Sequence, residues 1–256
     1  MQIMDFQVIE ENKFKFIETK SDGPNLMLLH GLFGTLSNFE SIINHFGKKY
    51  NVIVPILPIY ELPIFQASVG GLVDYLNGFA KYKNLSHLNL VGNSLGGHIA
   101  LLFALADIEK IDTITLTGSS GLFESGMGSS FPKRGDYEYI KNKTAETFFN
   151  PSVATKELVD EVYDIVNDRA KAIRVIATAK SALRHNLGDK LQHISVPTLL
   201  IWGKNDNITP PFVAEKFKEL IPNASLYFIE ECAHAPMMEK PEEFNRILED
   251  FLIKSA

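Results

Sequence analysis

A serine lies between glycines in residues 92–97, which read Gly-Asn-Ser-Leu-Gly-Gly. The apolar run 88–91 precedes them and a helical pattern follows, so the sequence predicts a strand, a sharp turn and a helix. Small neighbours leave room for a strained backbone at such a turn, which projects the serine hydroxyl above the sheet. The pattern therefore predicts Ser94 as a nucleophile, with the N-terminus of the new helix directed toward a developing oxyanion.

A glycine-rich turn between a strand and a helix is also compatible with phosphate binding. However, a Walker-type loop requires a lysine after its last glycine, and here Gly97 is followed by His98. No Gly-x-Gly-x-x-Gly segment follows the first predicted parallel strand either. The rest of the chain favours the nucleophile.

A serine hydroxyl needs a base whose ring is held by a carboxylate. Asp206 follows the apolar run 198–202, and His234 follows the apolar run 226–229. Both side chains therefore lie in loops at the carboxyl ends of predicted parallel strands, where the ligand sites of open α/β sheets form. The chain order Ser, Asp, His is the order expected for this kind of turn. We predict Ser94, Asp206 and His234 as a catalytic triad.

Each partner of the serine also has a simpler interpretation. Asp206 is compatible with an ordinary turn, and a single histidine such as His234 is more often a hydrogen-bonded surface group. Other acids are less well placed, because Asp189 precedes the strand and Glu230 and Glu231 lie too close to His234 in the chain. The joint occurrence of the three groups in the expected order favours the triad.

An oxyanion hole requires two N–H donors. One is predicted to be the backbone of Leu95. Residues 30–34, His-Gly-Leu-Phe-Gly, follow the apolar run 26–29, and their glycines allow a turn that presents the N–H of Leu32, with Phe33 as the second choice. Taken alone, this segment is also compatible with an ordinary turn at a strand end.

The elements that position these loops alternate between strands and helices. Residues 6–9 and 14–17 predict an antiparallel hairpin. Further short apolar runs predict strands, most of them buried on both faces as in a parallel sheet, at residues 26–29, 52–54, 88–91, 111–116, 198–202 and 226–229.

Amphipathic helices between these strands predict a mostly parallel sheet covered on both faces. The first helix is predicted behind a capping box at residues 37–40. The last begins at Pro241 with two glutamates in its first turn, where the helix dipole favours them. Their apolar stripes are Phe39, Ile42, Ile43 and Phe46 in the first helix, and Phe244, Ile247, Leu248 and Phe251 in the last.

The alternation breaks after residue 120. A Gly/Ser-rich stretch at 118–135 is followed by three helical patterns with no strand between them, around residues 137–148, 156–166 and 172–183. We predict a helical cap at residues 121–189, inserted between a first core part at 1–120 and a second at 190–256. The Gly/Ser-rich stretch is a candidate hinge or gate for the cap.

Composition excludes several classes of protein. With 256 residues, 45% hydrophobic and 22% charged, the chain is typical of a globular protein with one main core. A net charge of -6 with scattered cations argues against a nucleic-acid partner. The N-terminus lacks a signal-peptide pattern and no run is long enough to span a membrane, so we predict a cytoplasmic protein without a membrane partner. The sequence does not indicate the oligomeric state.

Metal and cofactor chemistry finds no support in the sequence. No cluster of His, Cys or Asp has ligand spacing, so we predict neither a metal nor a cofactor. The single cysteine, Cys232, excludes an internal disulfide, and we interpret it as a small buried residue rather than a catalytic thiol.

Together, four segments resemble the α/β-hydrolase superfamily: His30-Gly31, residues 92–97, residues 202–206 and residues 232–234 with the following Pro-Glu-Glu-Phe. The resemblance covers the whole chain except the detail of the cap. It implies an α/β-hydrolase fold, a helical cap and the triad chemistry, but it does not specify the substrate. Similar enzymes that cleave carbon–halogen bonds or epoxides carry an aspartate where this chain has Ser94, so those activities are disfavoured.

Residues 92–97 and 117–122 look like the carbon–carbon hydrolases that cleave aromatic meta-fission products. The chain departs from them in three places. Leu32-Phe33 replaces a glycine-rich run, Ala235 replaces a bulky aromatic after the histidine, and Val162 stands where they place a substrate-binding arginine. These departures favour hydrolysis of a carboxylic ester or thioester.

Three alternatives stay open: carbon–carbon bond hydrolysis, acyl transfer to another acceptor as in acyltransferases and perhydrolases, and a non-catalytic binding module on the same fold. An intact triad argues against the binding module. The expected partner is a small ester-type molecule. Its predicted binding residues are Phe33, Asn93, Phe123, Phe148 and Phe149, although core packing is the more common role for any one of these aromatics.

Overall fold

Eight strands are described in the computed structural model, which covers residues 7–34, 36–123 and 133–255. They are β1 (Ile9–Glu11), β2 (Phe14–Glu18), β3 (Asn25–Leu29), β4 (Asn51–Pro55), β5 (Leu88–Asn93), β6 (Ile111–Thr117), β7 (Thr198–Gly203) and β8 (Ala224–Ile229). They form one sheet in the order β1-β2-β4-β3-β5-β6-β7-β8. The pairs β1/β2 and β2/β4 are antiparallel, and all the other pairs are parallel.

The predicted parallel strands are confirmed. The central strands β3, β5 and β7 are buried almost throughout, because helices cover both faces of the sheet. Strand β8 lies at the edge and is partly exposed, with Tyr227 48% accessible. The carboxyl ends of β5, β6, β7 and β8 therefore follow one another along one edge of the sheet, where the predicted site residues lie.

The predicted hairpin is formed by β1 and β2, which are joined by a tight turn. Asn12 in this turn has a φ of 58°, in the left-handed region that asparagine tolerates better than most residues. The hairpin was predicted to begin at residue 6, which lies outside the described residues.

Nine α-helices are described. They are α1 (Glu40–Phe46), α2 (Val69–Tyr82), α3 (Leu95–Ala106), α4 (Tyr137–Ala145), α5 (Lys156–Asn167), α6 (Arg169–Arg184), α7 (Pro211–Leu220), α8 (Pro236–Glu239) and α9 (Pro241–Ser255). Side chains of α2, α3 and α7 share one buried cluster with one face of the sheet, and side chains of α1 and α9 share another cluster with the opposite face. Among the helices described, none is long and apolar enough to cross a lipid bilayer.

The predicted capping box before α1 was wrong. A 3-10 turn occupies Leu36–Phe39, and Phe39 is the N-cap of α1 without a side-chain capping hydrogen bond. Phe39 is fully buried in the core, so packing of its ring determines where the helix begins. The last helix begins at Pro241 as predicted, with both glutamates in its first turn.

The three helices α4, α5 and α6 lie between β6 and β7 in the chain. The N–H of Leu187 donates to the carbonyl of Gly121 at 2.8 Å, so the two ends of this insertion meet at its base. The guanidinium of Arg174 on α6 donates to the carbonyl of Leu62 at 2.6 Å, which fastens the insertion to the core. Much of the Gly/Ser-rich stretch named as a candidate hinge, residues 124–132, lies outside the described residues.

A buried histidine on α3 makes folding sensitive to pH. The ring of His98 is fully buried with its centroid 5.8 Å from that of His185. Burial, and secondly the nearby His185, lower the pKa of His98 to about 4 from 6.5. The folded state therefore keeps His98 neutral, whereas the unfolded chain binds a proton near pH 6.5.

We expect this histidine to remove stability as the pH falls. The stability that neutral His98 contributes is complete above pH 6.5 and decreases down to about pH 4. In this window the free energy of unfolding falls by about 1.4 kcal/mol per pH unit, or about 3 kcal/mol in all. Urea unfolding of the wild type and of His98→Gln at several pH values measures it. The substitution should flatten the pH dependence in this window, whereas His193→Gln, at an exposed position, should leave it unchanged. Equal slopes for wild type and His98→Gln would contradict the prediction.

Candidate active site

Ser94 joins β5 to α3 in a strained backbone conformation. Its φ of 55° and ψ of -122° are unusual for any residue other than glycine, and such a conformation costs about 1–3 kcal/mol. The surrounding backbone holds it in place: Ser94 donates its N–H to Thr117 at 3.1 Å, and its carbonyl accepts the N–H groups of Gly97 and Ser120 at 3.0 and 3.1 Å. The strain therefore persists because β6 and α3 both fasten this turn.

Close packing explains why glycines flank the serine. A Cβ atom on Gly92 would lie 2.5 Å from the Cα of Gly97, and one on Gly96 would lie 1.9 Å from the carbonyl oxygen of Leu29. Backbones approach one another too closely at both positions for a side chain. The arrangement is that of a nucleophile elbow.

His234 and Asp206 form a buried pair at the ends of β8 and β7. The Nδ1 of His234 lies 2.9 Å from Oδ2 of Asp206, which also accepts the hydroxyl of Thr209 at 2.9 Å. The other oxygen, Oδ1, accepts the N–H groups of Ile208 and Thr209 at 2.8 and 2.9 Å. Because the carboxylate accepts throughout, Nδ1 of His234 carries the proton and Nε2 is left as the basic nitrogen.

The environment of Asp206 favours its ionised form. Burial, the largest single influence, raises the pKa of its carboxyl, but the charge and hydrogen bond of His234 and the bonds from Thr209 together lower the pKa below its ordinary value. Asp206 therefore stays a carboxylate at neutral pH and can stabilise a positive imidazolium beside it.

The backbone of His234 is also fixed. Its N–H donates to the carbonyl of Thr147 at 3.1 Å, and its carbonyl accepts the side-chain amide of Asn93 at 3.1 Å. A second bond from the same amide reaches the carbonyl of Thr117 at 3.0 Å. Asn93 was predicted to bind substrate, but both amide hydrogens are engaged within the protein, and the residue is only 4% exposed. The structure gives Asn93 the position of a support for the histidine loop.

Ser94 is half-buried. The imidazole of His234 lies against Gly118 at the end of β6, where a Cβ would be 2.8 Å from Nδ1. Among the described residues, no hydrogen bond joins the hydroxyl of Ser94 to the ring of His234. Such bonds often form only when a substrate is bound.

The two predicted oxyanion donors lie in well-buried residues beside the serine. Gly31 brings its loop against Ser94, since a Cβ there would be 3.2 Å from the Cβ of Ser94. Leu32 and Leu95 are 8% and 2% exposed. Their N–H groups donate to no acceptor among the described residues, and the same holds for Phe33.

Two residues to which the sequence assigned no role of their own, His30 and Tyr60, hold the Leu32 loop. The Nε2 of His30 accepts the N–H of Leu57 at 3.0 Å, and its Nδ1 therefore donates to the carbonyl of Gly31 at 2.9 Å. Burial lowers the pKa of His30, so its ring stays neutral. Tyr60 donates its hydroxyl to the carbonyl of Leu32 at 2.5 Å. No sequence signal points to Tyr60, because its loop follows β4 and meets this site only through the fold.

The four predicted substrate-binding aromatics do not pack together in one cluster. Phe33 packs at the edge of the cluster that contains α2 and α3, whereas Phe148 is buried in the cluster on the opposite face. Phe123 and Phe149 are each 46% exposed, and the ring of Phe123 lies 5.2 Å from that of Phe212. A small cavity of about 20 Å³ beside Phe123 is lined by Gly121, Leu122, Phe123, Ala182, Leu183 and Asn186.

The described residues offer neither a metal-ligand cluster nor a reactive thiol. Within the described ranges, no group of three or more His, Cys, Asp or Glu residues has the geometry to hold a metal ion. Cys232 is buried, and burial and the neighbouring Glu239 raise the pKa of its thiol, so it is a poor nucleophile at neutral pH.

Comparisons with known proteins bear on the fold. The model of the Alpha/beta hydrolase family matches residues 26–247. One solved structure is of an α/β hydrolase enzyme from the metagenome of sediments of the Mar Chica lagoon in Morocco, which is 42% identical to this chain. The TM-score is 0.80, and the match covers 97% of this chain and 98% of that chain.

Curated relatives fall into more than one activity class. A 2-hydroxy-6-oxononadienedioate/2-hydroxy-6-oxononatrienedioate hydrolase of Paraburkholderia phymatum is 27% identical over 94% of this chain and 91% of its own length. A pimeloyl-[acyl-carrier protein] methyl ester esterase of Nitrosomonas europaea is 26% identical over 89% of this chain and 95% of its own length. The relatives therefore include a hydrolase named for a 2-hydroxy-6-oxo dienedioate or trienedioate and an esterase named for a methyl ester.

Proposed function

Because this chain belongs to the alpha/beta hydrolase family, we propose that it cleaves a carboxylic ester or thioester through an acyl-enzyme on Ser94. The same match and the solved relative confirm the predicted fold. The observation that carries the proposal is the strained backbone of Ser94, whose neighbour Asn93 binds the carbonyl of His234 in the Asp206–His234 pair. Stored strain of this kind is typical of functional sites.

The proposed reaction is acyl transfer in two halves. Ser94 Oγ attacks the carbonyl carbon while Nε2 of His234 takes its proton, and the N–H groups of Leu32 and Leu95 bind the resulting oxyanion. Collapse of this intermediate breaks the bond to the alcohol or thiol, which leaves with the proton from His234. Water then attacks the acyl-enzyme and gives its proton to His234, and the acid leaves as the proton returns to Ser94.

Asp206 serves this reaction by fixing one tautomer. Its hydrogen bond to Nδ1 keeps Nε2 unprotonated, and its negative charge stabilises the imidazolium that forms in both halves. Thr209 in turn fixes the carboxylate with its N–H and its hydroxyl. These two residues orient the base from the side opposite to the substrate.

Three positions support an ester or thioester over a carbon–carbon bond. Ala235 gives a small, buried residue after the histidine, Leu32 and Phe33 replace a glycine-rich turn, and Val162 on α5 cannot pair with a substrate carboxylate. Carbon–carbon hydrolysis remains the second candidate, because relatives aligned over 94% of this chain are named as hydrolases of 2-hydroxy-6-oxo dienoic acids or dienedioates.

We also assign residues 121–189 to a helical cap, with the bond between Gly121 and Leu187 at its base. The acyl pocket is proposed between cap and sheet. Phe33 and Phe123 are its best-placed candidates, because Phe33 directly follows Leu32 and Phe123 lies just beyond the end of β6. Phe149 follows α4 and is proposed as a more distant wall residue, whereas Phe148 packs in the buried cluster on the opposite face of the sheet.

The experiment that tests the function offers the purified protein a series of p-nitrophenyl esters from acetate to long chains, thioesters of matched acyl groups, and a 2-hydroxy-6-oxo-dienoate. A fluorophosphonate probe is applied in parallel, with the labelled residue identified by mass spectrometry. Turnover of esters or thioesters with labelling at Ser94 supports the proposal, and preferential turnover of the dienoate supports the second candidate. Faster product formation with added alcohols or peroxide would identify an acyltransferase or perhydrolase. No labelling and no turnover would favour a binding module.

A further inference from the structure

The carboxylate of Glu239 joins two parts of the chain that are distant in sequence. Its Oε1 accepts the N–H of Ala233 at 2.8 Å, and its Oε2 accepts the N–H of Phe149 at 2.7 Å. A longer bond of 3.4 Å reaches Oε2 from the N–H of Asn150. One side chain therefore fastens the residue before His234 to the segment that follows α4.

These two segments also meet directly. We call residues 232–235 the base loop and residues 147–150 the cap segment. The N–H of His234 donates to the carbonyl of Thr147 at 3.1 Å, next to the bridge made by Glu239. Two consecutive N–H groups of the base loop are thus linked to the cap segment. The N–H of His234 binds it directly, and the N–H of Ala233 is linked to it through Glu239.

The local fold explains how Glu239 reaches this place. The single turn of α8 follows His234, and the N–H groups of Met238 and Glu239 both donate to the carbonyl of Ala235, at 2.9 and 3.1 Å. This turn reverses the chain and returns the side chain of Glu239 to Ala233. A carboxylate suits the position because it offers two acceptor oxygens in one plane, and its charge strengthens both bonds.

We propose that Glu239 is a positioning residue that clamps the base loop to the cap segment, so that the seating of the cap sets the orientation of His234. The inference rests on the proposed function, in which His234 is the base. From the core, Asp206 holds the ring of His234 and Asn93 holds its carbonyl. Glu239 adds support on the other side of the residue, through the N–H of the preceding Ala233. The substrate-covering part of the molecule would thereby be linked to the proton-transfer group.

Glu239→Gln tests the clamp, because glutamine has nearly the same size but only one acceptor oxygen. Its NH₂ group must face the N–H of either Ala233 or Phe149, so one of the two bonds is lost. We expect the rate of fluorophosphonate labelling at Ser94 to fall about 10- to 100-fold, as for a small displacement of a catalytic group. Glu243→Gln, at an exposed glutamate in the first turn of α9, is the matched control and should label at the wild-type rate.

Two spectroscopic measurements separate positioning from simple stabilisation. Hydrogen exchange should become faster at the amides of Ala233 and Phe149 in Glu239→Gln. The low-field resonance of the Nδ1 proton between His234 and Asp206 should shift or broaden, at temperatures where circular dichroism shows a folded protein. If Glu239→Gln does not fold, Glu239→Asp keeps the charge but is one methylene too short to reach both donors, and the same changes are expected.

The outcomes distinguish this inference from the proposed function. Slow labelling with a shifted proton resonance in a folded variant supports the clamp. Wild-type labelling and an unchanged resonance in folded Glu239→Gln overturn the role of Glu239 while leaving the function of Ser94 intact. A wild type that the probe does not label overturns the proposed function, and the role assigned to Glu239 with it.

Discussion

Ser94→Ala should reduce hydrolysis of the best ester by about 10⁴-fold or more, to a rate close to the uncatalysed background. Without the hydroxyl no acyl-enzyme forms, and a water molecule in its place lacks the fixed geometry that the elbow gives Ser94 Oγ. The binding pocket and the oxyanion donors are left intact, so the substrate should still bind. Initial rates of the wild type and of Ser94→Ala, measured with the same ester at several concentrations, give the loss of activity.

Ser94→Gly provides a second, independent readout of the same site. It should be as inactive as Ser94→Ala, but it should raise the free energy of unfolding by about 1 kcal/mol, because glycine adopts a φ of 55° without steric strain. Ser86→Ala, at an exposed serine, is the control and should change neither quantity. If Ser94→Ala kept most of the activity, a different nucleophile would have to be sought; if Ser94→Gly gave no gain in stability, the turn would not be strained.

The sequence predicts the turn at Ser94 and the sheet well because local chemistry determines both. A Cβ atom on Gly92 or Gly96 would lie closer than 3 Å to neighbouring backbone, and one on Gly97 would lie 2.3 Å from the Oγ of Ser119. Such contacts leave a visible pattern in the residues themselves. The parallel strands are equally visible, since strands buried on both faces need continuous apolar runs. Asp206 and His234 could be located because each directly follows such a run.

The support of the site could not be predicted, because it depends on contacts between distant segments. Tyr60 reaches Leu32 from the loop after β4, and Asn93 reaches the carbonyl of His234, which is 141 residues away. Glu239 joins the base loop to a segment 90 residues earlier. Aromatic residues gave the weakest predictions, since Phe148 and Phe123 have the same chemistry but lie in a buried core and at the surface, respectively. Burial is determined by the fold and not by the residue type.

Asp206→Asn should be nearly as damaging as loss of the serine, with kcat reduced by about 10⁴-fold and a modest effect on KM. The asparagine carbonyl would replace Oδ1, which accepts the N–H groups of Ile208 and Thr209. Its NH₂ group then takes the place of Oδ2 and faces Nδ1 of His234, which in the wild type donates its hydrogen to that oxygen. The imidazole must therefore move its proton to Nε2, and the nitrogen that faces the substrate side becomes a donor unable to take the proton of Ser94.

Asp189→Asn is the matched control, because this exposed acid precedes β7 rather than following it and should have wild-type activity. Thr209→Val should give an intermediate loss, since it removes the hydroxyl that fixes Oδ2 of Asp206 but leaves the carboxylate bound to His234. Steady-state kinetics over a range of pH, with the fold checked by circular dichroism, measures all three variants. An Asp206→Asn protein with more than about one tenth of the wild-type kcat would show that the tautomer is set by another group, and an inactive Asp189→Asn would identify that group.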